Sequence, residues 1–460
     1  MNLIIYPNNK SLQEDLDIQA SDKSLSHRAC MFALFANAKC KISHFLHAED
    51  TLRSLEIARL LGLTYKIESN TSSQNQESKS QSTLILIPPK STLQTPRDVL
   101  YCGNSGTSMR LFAGLLSGAN LYAILCGDKY LHARPMKRVV DPLRDMGANI
   151  VTRTIHLDST TKELAPLTII PNTSQTNALH GLNYESKISS AQVKSAMILA
   201  ALQANSKSIY KEVSLSRNHT ENLLIAYQRY NYLRLDSTSI HIEPFCAFDN
   251  ADAPLNAFDI DIPNDPSSAF FFAVLAAIMP QCKIRLKRVM LNDTRIEAFR
   301  ILEKMGANII YENIKQDVEK SGDITISSSR LKAIDVSENI AWLIDEIPAL
   351  SIAFAMASGT SRVRNASELR VKESDRISSI LEGLLAFGIE AYEYPDGFDV
   401  VGGELRYGRI DSKGDHRIAM SFAIASCVAG GEIGDCECIN TSFPNFISIL
   451  SQFTQITKSE

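Results

Sequence analysis

Six short stretches of almost wholly apolar residues recur along the chain, each headed by a small polar cluster. They read SDKSLSHR before ACMFALFA, GNSGTSMR before LFAGLL, SSAQVK before SAMILAAL, NDPSSA before FFFAVLAAIM, IDEIPA before LSIAFAMA, and GDHR before IAMSFAIA. Marked at Arg28, Ser108, Gln192, Ser268, Pro348 and Arg417, they return roughly every 80 residues, which is an internal repeat. After each comes an amphipathic helical pattern that runs into a strand. Four of these junctions carry a glycine, Gly62, Gly147, Gly306 and Gly388, where a left-handed turn closes a helix. The third unit lacks the glycine and the sixth runs into the C-terminus, so both read as degenerate copies. Helices apolar all round must be buried, so each unit places one helix inside and one outside, against strands such as STLILIPP and LTIIP. The expected fold class is α/β or α+β, six units in two halves of three. The polar tract 69–82 reads as a mobile surface loop within the first unit.

Charge and cysteine usage narrow the function classes. A chain of 460 residues with net charge −4 does not suit nucleic acid, so any basic site has to be a local pocket. The opening residues MNLIIYPNNK lack a basic leader with an apolar core, and the longest apolar run, 269–280, is too short to span a bilayer. The expectation is a soluble, cytoplasmic protein with no membrane or nucleic-acid partner. Nine cysteines, odd in number and without a CxxC pair, fit reduced thiols. Cys436 and Cys438 lie close together but have no further His or Cys near by in sequence, so no metal is expected.

The chemistry gathers at the helix starts. Unpaired N–H groups and the positive dipole end make a helix N-terminus attractive to anions, and here Lys23, Arg28, Arg110 and Arg417 stand at such ends, with Lys372 and Arg376 near by. Singly these clusters read as ordinary caps and solvated cations; together they suggest a ligand with several anionic groups. RVKESDR, 370–376, is the densest, with three cations and two carboxylates ahead of Ile377, Ile380, Leu381, Leu384 and Phe387 at helical spacing. That spacing predicts Lys372, Glu373 and Arg376 within about one turn of a helix start, with Lys372 and Arg376 sharing a face. DEIP offers Asp345 and Glu346 as caps or as a base, and His416 reads as structural. No GxxxxGK[ST], HExxH, GxGxxG or GxSxG motif is present, which leaves an enzyme for small polyanions that uses no nucleotide, metal or other cofactor.

With DKSLSHR, GNSGTSMR, SSAQ, RVKESDR and DHRIAM on one chain, the sequence resembles the 5-enolpyruvylshikimate-3-phosphate synthase (3-phosphoshikimate 1-carboxyvinyltransferase) family over nearly its whole length. The resemblance implies two similar domains of three βαβαββ units each, with the active site in the cleft between them. It places them at 21–258, mainly the shikimate 3-phosphate side, and at 1–20 plus 259–460, with catalytic and phosphoenolpyruvate-binding residues. The implied reaction moves the enolpyruvyl group of phosphoenolpyruvate to the 5-hydroxyl of shikimate 3-phosphate, on the route to chorismate and the aromatic amino acids. Carried over, Lys23, Ser24, Arg28, Ser190, Gln192, Ser216, Asp345 and Lys372 bind shikimate 3-phosphate. Lys23, Gly106, Arg134, Gln192, Arg376 and Arg417 meet phosphoenolpyruvate. Asp345, Glu373 and Lys23 are the catalytic residues, Asp345 as proton acceptor and Glu373 as candidate acid, with Lys23 also shared between the ligands.

Three positions depart from the family's commoner pattern: Leu111 for a proline, Ser442 for a lysine, and Glu368 for an asparagine. Gly106 is kept where an alanine can crowd glyphosate, so that inhibitor is expected to act. Two rivals stand beside this reading. The related UDP-N-acetylglucosamine enolpyruvyl transferase carries a reactive cysteine where GDKYLHARP has Lys129, and a non-catalytic scaffold of the same repeat would be expected to lose Glu373, Asp345 or Arg376.

Overall fold

In the computed structural model the chain is described at residues 1–8, 10–68, 83–90, 92–157, 160–172, 179–247 and 253–459. The polar tract 69–82 lies outside the described residues. The chain divides into two units, a continuous one, Lys23–Ile262, and one made of Met1–Asp22 with Pro263–Glu460. Sequence had suggested a return crossing after residue 258. The strand Asp259–Asp261 instead lies in the continuous unit, pairing in parallel with Cys40–Ser43.

Six four-stranded sheets are formed by the described residues, and all have one topology. The first strand runs parallel to the second, and the fourth lies between the second and third, antiparallel to both. In the continuous unit, the sheet of Leu100–Tyr101, Ala123–Cys126, Asn149–Leu157 and Thr160–Ile170 follows chain order. The first sheet takes its opening strand, Asp259–Asp261, from the far end of the unit. In the other unit, Leu12–Leu16 pairs in parallel with Cys282–Met290, and Asn2–Ile5 lies between Gly431–Gly434 and Ile456–Ser459. The sixth copy is therefore complete and not degenerate, its missing strand being supplied by the N-terminus.

The apolar stretches form the helices Lys23–Ala33, Gly106–Ala119 and Ala191–Ala201 in one unit, and Pro266–Ile278, Ile347–Ala355 and His416–Ala429 in the other. All are largely buried, and every residue of Pro266–Ile278 is. Phe272 there packs against Phe446 and Phe453 at 5.7 Å between ring centroids, a contact set whose removal by Phe272→Ala would cost about 3–5 kcal/mol. Gly114 lets two inner helices touch backbone to backbone, since a Cβ there would stand 2.1 Å from the Ala196 carbonyl oxygen. Gly62, Gly147, Gly306 and Gly388 all have positive φ, +109°, +96°, +102° and +78°, the left-handed closure read from sequence. Third strands lie at sheet edges, and there the sequence is free to be polar: every residue of Thr64–Glu68 is exposed.

Candidate active site

The polar heads of the inner helices are partly caps, as their composition suggested. Ser105 accepts from the Ser108 N–H at 3.1 Å, Asp265 from Ser267 at 2.8 Å and Asp415 from Arg417 at 2.9 Å, each worth about 1 kcal/mol. Ser190 accepts from Val193 at 3.5 Å, a loose cap that leaves its hydroxyl available.

In the continuous unit, Lys23 opens its helix and its ammonium lies 2.5 Å from the Asp50 carboxylate, with Ser24 half-buried beside it. Arg28 is 4% exposed; its guanidinium donates to Thr220 Oγ1 at 2.7 Å, Ser195 Oγ at 2.9 Å and the Ser24 carbonyl at 2.9 Å. Around the GNSGTS turn, Gln192 Nε2 donates to Thr107 Oγ1 at 3.0 Å, Arg110 donates to Gln192 Oε1, and Arg134 donates to Asn104 Oδ1. A Cβ on Gly106 would stand 2.9 Å from Arg110 and 3.0 Å from Arg134, so both guanidinium groups lie against that glycine. Two cations thus face the N-terminus of Gly106–Ala119, an arrangement suited to a phosphate or carboxylate. Ser216 is buried and its hydroxyl has no protein partner among the described residues.

The other unit is built around Arg376. The helix Arg376–Ala386 starts one residue after its cap, Asp375, which accepts from Ser378 N–H at 3.2 Å. Lys372 and Glu373 precede the helix, and Lys372 has extended backbone, φ −89° and ψ −151°. The expected shared helical face of Lys372 and Arg376 is therefore absent, because the cap sits at Asp375 and ends the helix there. Arg376 donates to Asp415 at 2.8 Å, Glu373 at 2.7 Å, Asp345 at 3.2 Å and the Ile344 carbonyl at 3.3 Å. Burial alone would pull its pKa down, but Asp415, Glu373 and Asp345 together hold it above the ordinary value. One guanidinium thereby fixes both carboxylates that sequence singled out for proton transfer.

The two carboxylates of DEIP separate into different environments. Glu346 is 1% exposed, accepts from the Ser267 hydroxyl, and does not cap its helix. Arg295 ties the same cluster together, donating to Asp22 at 2.6 Å, Asp265 at 2.7 Å and Ser267 at 2.9 Å. Asp345 keeps a quarter of its side chain exposed, which suits a group that meets ligand. Lys372 is half-buried, and burial pushes its ammonium down to about 8, with Arg376 adding to the shift and Asp345 opposing it. Arg417 is 6% exposed, its guanidinium 5.8 Å from the Phe271 ring, and its Nε and one terminal nitrogen have no protein partner among the described residues. Buried donors of that kind are costly unless a ligand takes them. Ser442, in the lysine's place, is buried with its hydroxyl in the same condition. Leu111, in the proline's place, packs fully buried within an unbroken helix.

Sequence reasoning passed over Asp50, Ser195 and Thr220, ordinary polar residues whose contacts come only from tertiary structure, whereas Asn104 and Thr107 of GNSGTSMR were read with its glycines as a backbone cradle or as caps. Arg110 stood among the helix-head cations but received no role.

A profile of the family described as EPSP synthase (3-phosphoshikimate 1-carboxyvinyltransferase) matches residues 8–450. The 3-phosphoshikimate 1-carboxyvinyltransferase of a Nitratiruptor species is 49% identical over 441 residues, 96% of each chain. That of Helicobacter hepaticus is 48% identical over 447 residues, 97% of each chain. Among solved structures, EPSP synthase from Acinetobacter baumannii superposes with TM-score 0.81 at 34% identity, covering 99% of this chain and all of that one. The chain belongs to the EPSP synthase family.

Proposed function

We propose that the protein transfers the enolpyruvyl group of phosphoenolpyruvate to the 5-hydroxyl of shikimate 3-phosphate and releases phosphate. The protein is an enzyme of a family whose members carry that name, and the mixed α/β fold is theirs. The observation that carries the reading is Arg417, a buried guanidinium with two nitrogens left for a ligand, on the same helix start as the Asp415 that supports Arg376.

The site roles are part of the proposal. Arg134, Arg417 and the backbone at Gly106 hold the phosphate and carboxylate of phosphoenolpyruvate, with Gln192 and Lys23 alongside. Arg376 joins them by giving up a protein carboxylate when the ligand arrives. Lys23, Ser24, Arg28, Ser190, Gln192, Ser216, Lys372 and Asp345 hold shikimate 3-phosphate. As the 5-hydroxyl oxygen bonds to C2 of phosphoenolpyruvate, its proton passes to Asp345 and the methylene carbon takes one from Glu373. The C2–O bond to phosphate then breaks, and the methyl group returns a proton to restore the double bond. Guanidinium groups on phosphate and carboxylate stabilise the tetrahedral intermediate and the departing phosphate. The continuous unit serves mainly shikimate 3-phosphate, and the other supplies the proton-transfer groups. Glyphosate inhibits, because nothing beyond hydrogen projects from Gly106. A cytoplasmic location fits nine free cysteines, none in a disulfide.

The test is phosphate release by purified protein with phosphoenolpyruvate and shikimate 3-phosphate, in parallel with phosphoenolpyruvate and UDP-N-acetylglucosamine, EDTA present in both. Release with shikimate 3-phosphate alone is expected. Release with the nucleotide sugar alone would transfer the assignment to the sister activity, and none with either would leave a scaffold.

A further inference from the structure

Lys194 is the single charged residue of the helix Ala191–Ala201, and it is completely closed to solvent. Its ammonium lies 2.9 Å from Glu212 and 2.7 Å from Glu221, both carboxylates also buried, and donates to the Ser216 carbonyl at 3.3 Å. A buried ion cluster is a poor stabiliser compared with apolar residues of the same volume, so its geometry is what it contributes. That geometry is local. Glu212 and Glu221 bracket the segment that carries Ser216, and Ser189 fastens the middle of it, its hydroxyl donating to the Ser214 carbonyl at 2.9 Å. The next residue on the helix, Ser195, meets Thr220 at 2.6 Å, and both accept from Arg28. With the Ser216 carbonyl engaged by Lys194, the buried Ser216 hydroxyl is left without a protein partner among the described residues.

We propose that Lys194 is a positioning residue for the phosphorylated sugar acid: it holds the 212–216 segment so that the Ser216 hydroxyl is presented to that ligand. The inference rests on the function proposed above. It makes Lys194 act on one substrate and through one residue, which a general stabilising role would not do.

Steady-state kinetics with each substrate varied in turn provide the test. Lys194→Met is expected to raise KM for shikimate 3-phosphate about tenfold, with KM for phosphoenolpyruvate and kcat within about twofold of wild type. In a Ser216→Ala background the same substitution is expected to add less than about threefold, because the residue it works through is gone. Should Lys194→Met not fold, the uncharged variant Lys194→Met/Glu212→Gln/Glu221→Gln replaces it, with the same expectation. Unchanged KM values, equal rises for both substrates, or full additivity with Ser216→Ala would overturn the positioning role while leaving the reaction intact. A wild-type protein that releases no phosphate with shikimate 3-phosphate would overturn both.

Discussion

Arg376 donates through Nε to Asp415 across 2.8 Å, with the two side chains 1% and 0% exposed. Asp415 is at once the cap of His416–Ala429 and the anchor of the guanidinium that holds Glu373 and Asp345. Removing the cation strands a buried carboxylate. Arg376→Met is expected to lower stability by about 3–5 kcal/mol, read as a lower urea midpoint at unchanged slope. A midpoint equal to wild type would contradict the hub.

Arg417 predicts the opposite division. Two of its nitrogens have no protein partner among the described residues, so Arg417→Met removes buried donors and not a bonded pair. Stability should stay within about 1 kcal/mol of wild type, while kcat/KM for phosphoenolpyruvate falls at least about 100-fold. Urea melts beside phosphate-release kinetics check both halves. Equal damage to stability would mean that the guanidinium belongs to the fold.

Lys372 sets a pH dependence. Its folded pKa of about 8 lies below the ordinary 10.5, so between those values the unfolded chain binds the extra proton. The burial penalty on the ammonium is full below about pH 8 and is relieved as pH rises to 10.5, so this group's contribution to stability increases through that window. In the proposed role of Lys372, ligand capture needs the charged form. The kcat/KM for shikimate 3-phosphate is therefore expected to fall above about pH 8, and Lys372→Arg, charged throughout, to lose that limb. A profile identical in the two proteins would count against Lys372.

Gly106 has guanidinium groups at 2.9 and 3.0 Å from where a methyl group would stand. Both are ends of flexible side chains, so Gly106→Ala should fold normally, with Arg110 and Arg134 displaced. The expected outcome is a rise of roughly tenfold in KM for phosphoenolpyruvate and a larger rise in the inhibition constant for glyphosate. Inhibition assays on the two proteins decide it, and a wild-type enzyme fully active at glyphosate well above the phosphoenolpyruvate concentration would refute the proposal.

The inner helices were legible because burial on all sides leaves no polar face, as in FFFAVLAAIM, and the ends of four outer helices were legible because positive φ at Gly62, Gly147, Gly306 and Gly388 selects glycine. Strand exchange was not legible locally, since Leu12 pairs with Cys282 and Leu3 with Ile433, and no nearby signal encodes such distances. The charge-rich stretch 370–376 lies at a helix start as read, but the shared helical face of Lys372 and Arg376 does not form, because Asp375, read among the charges, is the cap. Lys194 hid for another reason: a lone lysine after SSAQV looks like a solvated helix residue until Glu212 and Glu221 fold over it.

The crossing of the chain between units has a consequence for biosynthesis. Every strand of the unit Lys23–Ile262 has been made once residue 262 emerges from the ribosome, so that unit is ready to fold while the rest is still being translated. Asn2–Ile5 is made long before its neighbours Gly431–Gly434 and Ile456–Ser459. At roughly 5–20 residues per second, the strand waits tens of seconds for them. The nascent Asn2–Ile5 strand is thus a segment that a chaperone would protect, and slow translation ahead of Gly431–Gly434 would prolong its exposure.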